Sequence, residues 1–126
     1  MDRLLATLVR ALVLICLSAG AASAQDAIQG RAVFQANCAV CHMAVSNGHS
    51  MIGPNLFGIV GRHAGSVAGF AYSPAMQRSG INWTSDQLLA FVQTPAHVVP
   101  GTRMPFAGLH NAQQASALVA YLDTLH

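Results

Sequence analysis

Two cysteines and a histidine within one short stretch could attach and ligate a metal-containing cofactor. The stretch reads Cys38-Ala39-Val40-Cys41-His42. Thiols at this spacing can each add to a vinyl group on the edge of a haem, and the histidine that follows can offer a neutral imidazole nitrogen to the iron. The pattern predicts one covalently attached c-type haem, with His42 as an axial ligand.

Other interpretations of the cysteine pair leave His42 without a role. A zinc site would need a second cysteine pair or a histidine pair at ligand spacing, which the sequence lacks. A thioredoxin-like redox pair would lie in a strand–helix–strand pattern, which is not seen around Cys38, and a structural disulfide is a further possibility. A thiol–disulfide oxidoreductase is thus a rival function, and it would require Cys38 and Cys41 to be free.

The N-terminus has the pattern of a secretory signal peptide. Arg3 and Arg10 supply positive charge, residues 11–22 are apolar, and Ala22-Ser23-Ala24 matches a small-x-small cleavage site. We expect residues 1–24 to be a signal peptide, and residues 25–126 to be one exported, soluble domain. An uncleaved anchor is disfavoured, because the apolar run is shorter than the roughly 20 residues that span a bilayer.

Charged side chains are scarce, and the chain contains no lysine and no glutamate. Residues 25–126 contain four arginines and three aspartates. Nucleic-acid binding is excluded as a function, because it requires a dense basic patch. Contacts with protein partners are predicted to be mostly apolar and weakly dependent on salt. A domain of this size has a marginal core, which a buried haem would complete.

The helix signals predict an all-α fold of four to five helices, with long irregular loops around the cofactor. Asp26 is the expected N-cap of a first helix, whose apolar side includes Ile28, Val33 and Phe34. Gly30 is unfavourable inside this helix, so close packing against another backbone is expected there.

Capping residues and prolines set the later boundaries. The predicted helices run from Pro74 to about Ser79, from Thr84 and Gln87 to near Thr94, and from Asn111 and Gln114 onward, the last with an apolar face of Ala115, Leu118, Val119, Leu122 and Leu125. Residues 43–72 and 95–109 are predicted to be irregular, because they are rich in glycine or proline. No convincing strand is found.

The iron needs a second axial ligand, or it keeps a site open to small molecules. The candidate ligands are Met51, Met76, Met104, His63, His97 and His110. Chemistry favours Met104, because its turn-rich loop lies far along the chain and can fold back over the haem. An open or labile site would instead predict a haem-based sensor, a ligand-binding protein or a peroxidase-like protein.

Several stretches besides the cysteine motif carry a family resemblance. They are Gly-Pro-Asn-Leu-Phe-Gly-Ile-Val-Gly-Arg at 53–62, Gly-Phe-Ala-Tyr-Ser at 69–73, Trp83, Pro-Gly-Thr-Arg-Met-Pro-Phe-Ala-Gly at 100–108 and Ala-Tyr-Leu at 120–122. With the motif, they make residues 30–122 resemble class I, mitochondrial-type cytochromes c as found in bacteria that export such proteins. The resemblance implies a small cytochrome c fold, Met104 as the sixth ligand, and a periplasmic one-electron carrier rather than an enzyme.

The resemblance also assigns roles to polar residues around the haem. It implies that the Pro54 carbonyl accepts the remaining N–H of the His42 imidazole. Thr102 resembles a polar contact beneath the haem. The residues that resemble the family's partners of the haem propionates are Arg62, Tyr72 and Trp83.

Two positions depart from the family pattern. Phe91 replaces a tyrosine that often donates a hydrogen bond to the ligand sulfur, so the potential of the iron is expected to differ. Met76 stands where asparagine is common, which is expected to remove a buried water site. The contact between the first and last helices is expected to match the family at Gly30, Phe34, Leu118 and Tyr121.

The partners implied by the resemblance are redox proteins of the membrane or the periplasm. They include a quinol-oxidising cytochrome complex, a terminal oxidase, a photosynthetic reaction centre and a periplasmic dehydrogenase. The protein itself is expected to be a monomer, with no stable membrane insertion after cleavage of the signal.

Overall fold

Five helices form the framework of the protein in a computed structural model that describes residues 23–126. Helix α1 covers residues 23–37, and it is followed by α2 (Pro74–Arg78), α3 (Ser85–Gln93), α4 (Pro95–Val98) and α5 (Ala112–Asp123). Within the described part no strand is present, and the β-type pairing there is an isolated bridge between His63 and Asn82. The predicted all-α fold is confirmed.

Side-chain caps start three of the helices at the predicted positions. Each capping oxygen accepts a hydrogen bond from a backbone N–H three residues later, which satisfies a donor that has no partner within the helix. The pairs are Ser73 with Met76 at 3.1 Å, Thr84 with Gln87 at 3.2 Å, and Asn111 with Gln114 at 3.0 Å.

The contact between α1 and α5 depends on Gly30. A Cβ atom at this position would lie 1.8 Å from the carbonyl oxygen of Ala117 and 2.7 Å from the Cβ of Tyr121. One turn later, the rings of Phe34 and Tyr121 lie 5.6 Å apart. Leu118 is fully buried, and α3 packs against both α5 and α4. The predicted contact between the first and last helices is therefore present.

Two expectations for α1 are wrong. Residues 23–25 are already helical, so Asp26 lies inside the helix and does not cap it. The side chain of Ile28 is 66% exposed, whereas Phe34 is buried and Val33 packs against the core. The narrow contact at Gly30 sets the buried face of α1, and Ile28 lies outside that face.

The region 95–109 is not wholly irregular, as was expected, because it begins with the helical turn α4. Pro95 occupies the first position of this turn, where its fixed φ is favourable and its missing N–H has no cost. Leu125 also lies just beyond α5, although it still packs against the core.

The predicted signal segment 1–24 lies outside the described residues, except for Ser23 and Ala24, which belong to α1. Among residues 23–126, no helix is long and apolar enough to cross a membrane.

Candidate cofactor site

A cavity of about 430 Å³, open to solvent on one side, is lined by residues from the helices and from the loops of the described domain. Cys38, Cys41 and His42 line it from the turn that follows α1, and Met104 lines it from the loop between α4 and α5. The further lining residues that were predicted for the site are Pro54, Arg62, Tyr72, Trp83 and Thr102. The fold thus brings all nine predicted site residues to one cavity.

The end of α1 positions both thiols. The backbone N–H of Cys38 donates to Phe34 at 2.8 Å, and that of His42 donates to the Cys38 carbonyl at 2.9 Å, so the chain turns tightly where the helix ends. Cys38 and Cys41 are half-buried, and no disulfide joins them. Burial, with a smaller contribution from Cys41, raises the pKa of Cys38 to about 11, so this thiol is protonated at neutral pH.

The His42 imidazole is fixed by one backbone carbonyl. Its Nδ1 lies 2.7 Å from the carbonyl oxygen of Pro54. Since a carbonyl oxygen can only accept, Nδ1 carries the hydrogen, and the lone pair of the neutral ring is on Nε2. Burial lowers the pKa of His42 against the opposing effect of this hydrogen bond, which favours the neutral ring that can ligate a metal.

Gly53 leaves the space that the imidazole occupies. A Cβ atom at this position would lie 2.3 Å from Cε1 of His42 and 2.6 Å from its Nδ1. No separate role was predicted for Gly53 from the sequence. Its position directly before Pro54 could have indicated this role, because glycine is common where another group approaches the backbone closely.

Asn55 holds the loop that carries Gly53 and Pro54. Its buried side chain donates to the carbonyls of Val45 at 2.9 Å and Gly48 at 3.0 Å, and it accepts from the N–H of Phe57 at 3.1 Å. A buried amide with all these partners rigidifies its surroundings. Asn55 lies within the family-like stretch 53–62, but this function was not predicted from the sequence.

Arg62 ties the same loop to the wall of the cavity. Its guanidinium donates to the carbonyls of Asn55, at 2.9 Å, and Phe57. Burial lowers the pKa of Arg62, and the nearby phenol of Tyr72 raises it by less. The guanidinium is nevertheless charged, because arginine is not deprotonated in proteins. The backbone N–H of Trp83 donates to the Arg62 carbonyl at 2.9 Å, which places these two predicted site residues side by side.

The aromatic residues close the cavity. Trp83 and Phe91 are buried with their ring centroids 5.0 Å apart, at an interplanar angle of 56°. The Tyr72 hydroxyl accepts a hydrogen bond from the N–H of Val67 at 3.1 Å, and its own hydrogen is free to be donated to a ligand. This part of the cavity is therefore apolar, with a charged guanidinium and a phenol as its polar groups.

Thr102 shapes the loop that carries Met104. Its hydroxyl accepts from the N–H of Met104 at 3.3 Å, and its own N–H donates to Val99 at 3.0 Å. The Met104 carbonyl then accepts from Phe106 at 2.9 Å. Of the rival ligands, Met76 and His63 also line the cavity, whereas Met51, His97 and His110 do not.

The size and lining of the cavity fit a haem. Ligand pockets for groups of this kind have volumes of about 300–1,000 Å³ and are mostly apolar with a few placed polar groups. The thiols, the imidazole and the thioether supply the groups that a c-type haem requires.

Comparison with known proteins agrees with this site. Residues 27–126 match the family model described as Cytochrome c. The chain is 42% identical to a cytochrome c2 of Blastochloris viridis, covering 91% of this chain and 90% of the relative, and 40% identical to a cytochrome c2 of Rhodopila globiformis, covering 84% and 99%. It is also 40% identical to a cytochrome c of Stellaria longipes, covering 78% and 91%. The chain therefore belongs to the class I c-type cytochromes, electron carriers with one covalently attached haem c.

Proposed function

We propose that this protein is an exported one-electron carrier whose haem iron is ligated by His42 and Met104. The observation that carries the proposal is that both side chains line the cavity that Cys38 and Cys41 also line. Nε2 of His42 is available as a ligand, because Nδ1 is committed to the Pro54 carbonyl. Two strong axial ligands leave no position for a substrate, which favours electron transfer over catalysis.

When bound, the haem supplies an iron that changes reversibly between the ferric and ferrous states. The residues of the chain tune this change. A methionine and a histidine ligand together raise the potential, and the apolar wall formed by Trp83 and Phe91 disfavours the extra positive charge of the ferric state. The hydrogen bond from His42 to Pro54 acts in the opposite direction, because it makes the imidazole a better donor.

Arg62, Tyr72 and Trp83 are proposed to hold the haem propionates. The support for this role is that all three line the cavity and that Arg62 keeps its charge there. A guanidinium and a phenol can each donate to a carboxylate. Thr102 is proposed to act beneath the haem through the loop of Met104. Its hydroxyl accepts a hydrogen bond from the backbone N–H of Met104.

The proposed site of electron transfer is the rim of the cavity around the cysteine motif. Val40 and Ile52 both line the cavity, and their side chains are 74% and 72% exposed. An exposed apolar rim of this kind fits a small, transient contact with a redox partner. The proposed partners are membrane or periplasmic redox proteins, and the rim favours partners whose contact face is itself largely apolar.

Export is proposed from the sequence of residues 1–24, and it places the carrier in the periplasm. The cleaved domain would begin at Gln25. Intact mass and N-terminal sequencing of the protein recovered from the periplasmic fraction test this, since retention of residues 1–24 would contradict it.

Binding of carbon monoxide by the reduced protein tests the proposed ligation. A carrier with both axial positions filled gives a ferrous spectrum that carbon monoxide does not change. A sensor or peroxidase-like protein with a labile sixth site would bind the gas, and this result would overturn the proposal. Haem staining after denaturing electrophoresis accompanies the test, because a thiol–disulfide oxidoreductase with free Cys38 and Cys41 would carry no covalently attached haem and would not stain.

A further inference from the structure

The rim of the cavity around the cysteine motif belongs to a segment without formal charge. Residues 32–61 contain no aspartate, glutamate, lysine or arginine. Most of the large apolar side chains that are exposed in the described part of the chain lie in this segment, namely those of Val40, Val45, Met51 and Ile52. An exposed apolar face of this kind marks a contact with another molecule.

Backbone hydrogen bonds hold the two parts of this face together. The N–H of Gly53 donates to the carbonyl of Cys41 at 2.8 Å, and the N–H of Met51 donates to the Gly53 carbonyl at 2.9 Å. The loop that carries Met51 and Ile52 is thereby fastened to the cysteine motif. Val40 and Ile52 form the rim, since both line the cavity and are exposed, and the half-exposed Met51 extends it.

Formal charge near the rim comes from other segments. Among the described residues that line the cavity, it is carried by Arg62 and Arg103. Arg62 is half-buried, and its guanidinium donates to two backbone carbonyls, whereas Arg103 is exposed on the loop of Met104. Each copy of the protein therefore presents one exposed lining charge, and this charge lies outside the uncharged segment.

An uncharged rim can face a copy of itself. Two identical molecules that meet about a two-fold axis place the same patch on both sides of the contact. A patch of one charge would then repel itself, whereas an uncharged apolar patch does not. A few exposed side chains cannot bury the roughly 1,200–2,000 Å² of a stable interface, so such a contact is transient.

We propose that a second copy of this protein is itself a redox partner and that the two copies dock rim to rim. One electron passes from a ferrous copy to a ferric copy, so that the first becomes ferric and the second ferrous. No bond forms or breaks, and no proton moves. This inference rests on the proposed function, because it takes the rim as the site of electron transfer.

The rate of electron exchange between copies tests this docking. It is measured in partly reduced samples from the exchange broadening of resolved proton NMR signals of the ferric protein, at about pH 8, where histidine side chains are ordinarily neutral. We expect the second-order rate of the parent to change by less than about twofold when added salt shortens the Debye length from roughly 30 to 8 Å.

Ile52→Lys should slow the exchange, because the two-fold contact brings the two added charges together. We expect a roughly three- to fivefold lower rate at low salt, and added salt should restore it. Ile52→Gln removes the apolar side chain without adding charge, and its smaller effect should not depend on salt.

Ile28→Lys is the matched control. It adds the same charge at an isoleucine that is 66% exposed but does not line the cavity. Residue 28 lies roughly 15 Å along α1 from Cys38, so we expect the rate of this variant to equal that of the parent.

A second measurement detects the contact without electron transfer. In the fully ferrous protein, the amide signals of Val40, Met51 and Ile52 should shift as the protein concentration rises. This dependence should be lost in Ile52→Lys and kept in Ile28→Lys. Shifts that are absent at every concentration, or confined to another face, would contradict docking at the rim.

Exchange as fast in Ile52→Lys as in the parent, or equal slowing in Ile28→Lys, would overturn rim-to-rim docking and leave the proposed function standing. A protein without attached haem would give no ferric and ferrous copies to mix, and this result would overturn the proposed function.

Discussion

At the scale of single residues, the His42 imidazole is controlled by the two residues that follow Ile52. Gly53 makes room for the ring, and Pro54 accepts its Nδ1 hydrogen at 2.7 Å. Both act through the backbone, so their effect on the iron depends on conformation more than on side-chain chemistry. If His42 ligates the iron as proposed, its orientation and donor strength are consequently set by a loop rather than by α1.

Gly53→Ala should disturb the histidine ligand. The added Cβ would lie 2.3 Å from the ring, so either the imidazole or the loop must move. We expect a lower yield of haem-loaded protein and a changed reduction potential. Gly69→Ala is the control, because a Cβ there meets nothing within 4 Å and adds only strain at a φ of +76°. Its cost should be about 1 kcal/mol of stability, with an unchanged potential, measured by denaturation and spectroelectrochemistry.

Phe91→Tyr should raise the reduction potential. Phe91 lines the cavity, and a hydroxyl donated to the Met104 sulfur would draw electron density from the ligand, which disfavours the ferric state. Spectroelectrochemical titration of the variant beside the parent measures the effect. Identical potentials would show that residue 91 does not reach the sulfur.

At the scale of elements, the contact between α1 and α5 supports the part of the cavity wall that contains the cysteine motif. The close approach at Gly30 brings Phe34 onto Tyr121, and Cys38 follows one turn later through its bond to the Phe34 carbonyl. Displacement of α1 would therefore move both thiols. The position of the cysteine motif therefore depends on the contact between α1 and α5.

Gly30→Ala should destabilise the protein by about 2–3 kcal/mol. Alanine gains roughly 1 kcal/mol of helix propensity, but its Cβ would lie 1.8 Å from a backbone carbonyl that cannot rotate away. Gln29→Ala, at an exposed position of the same helix, should change stability by less than about 0.5 kcal/mol. Equilibrium denaturation of both variants checks this, and equal stability would contradict the tight contact.

Capping chemistry is local, and for this reason the starts of α2, α3 and α5 could be predicted from the sequence. Asp26 does not cap α1, because an N-cap lies just before the first helical residue and residues 23–25 are already helical. The role of Asn55 depends on partners contributed by the fold of its own loop, which local patterns do not describe. The hydrogen bond from Arg103 to the carbonyl of Tyr72 could not be predicted from local patterns either, since the two residues lie 31 positions apart.

At the scale of the whole molecule, residues of α1, α3, α5 and the loops between them line one mostly apolar cavity, and a haem bound there would complete the core. The cofactor motif and the family resemblance therefore predicted the fold better than helix periodicity alone. The exposed rim near the motif is apolar at Val40 and Ile52, and the chain carries no lysine. Both features point to a partner contact that relies little on long-range charge.

Electron transfer to a purified redox partner should depend weakly on ionic strength. Because few charges steer the encounter, we expect the second-order rate to change by less than about twofold when added salt shortens the Debye length from roughly 30 to 8 Å. Stopped-flow measurement over this range checks the prediction. A steep fall with salt would indicate that the arginines and histidines form a charged docking site.

The ferric absorption spectrum of matched methionine variants tests the central claim most directly. The parent and Met76→Ala should both show the thioether–iron(III) band in the red, because Met76 lines the cavity without being the proposed ligand. Met104→Ala should lose the band completely and bind carbon monoxide when reduced. Survival of the band in Met104→Ala, or its loss in Met76→Ala alone, would contradict the account.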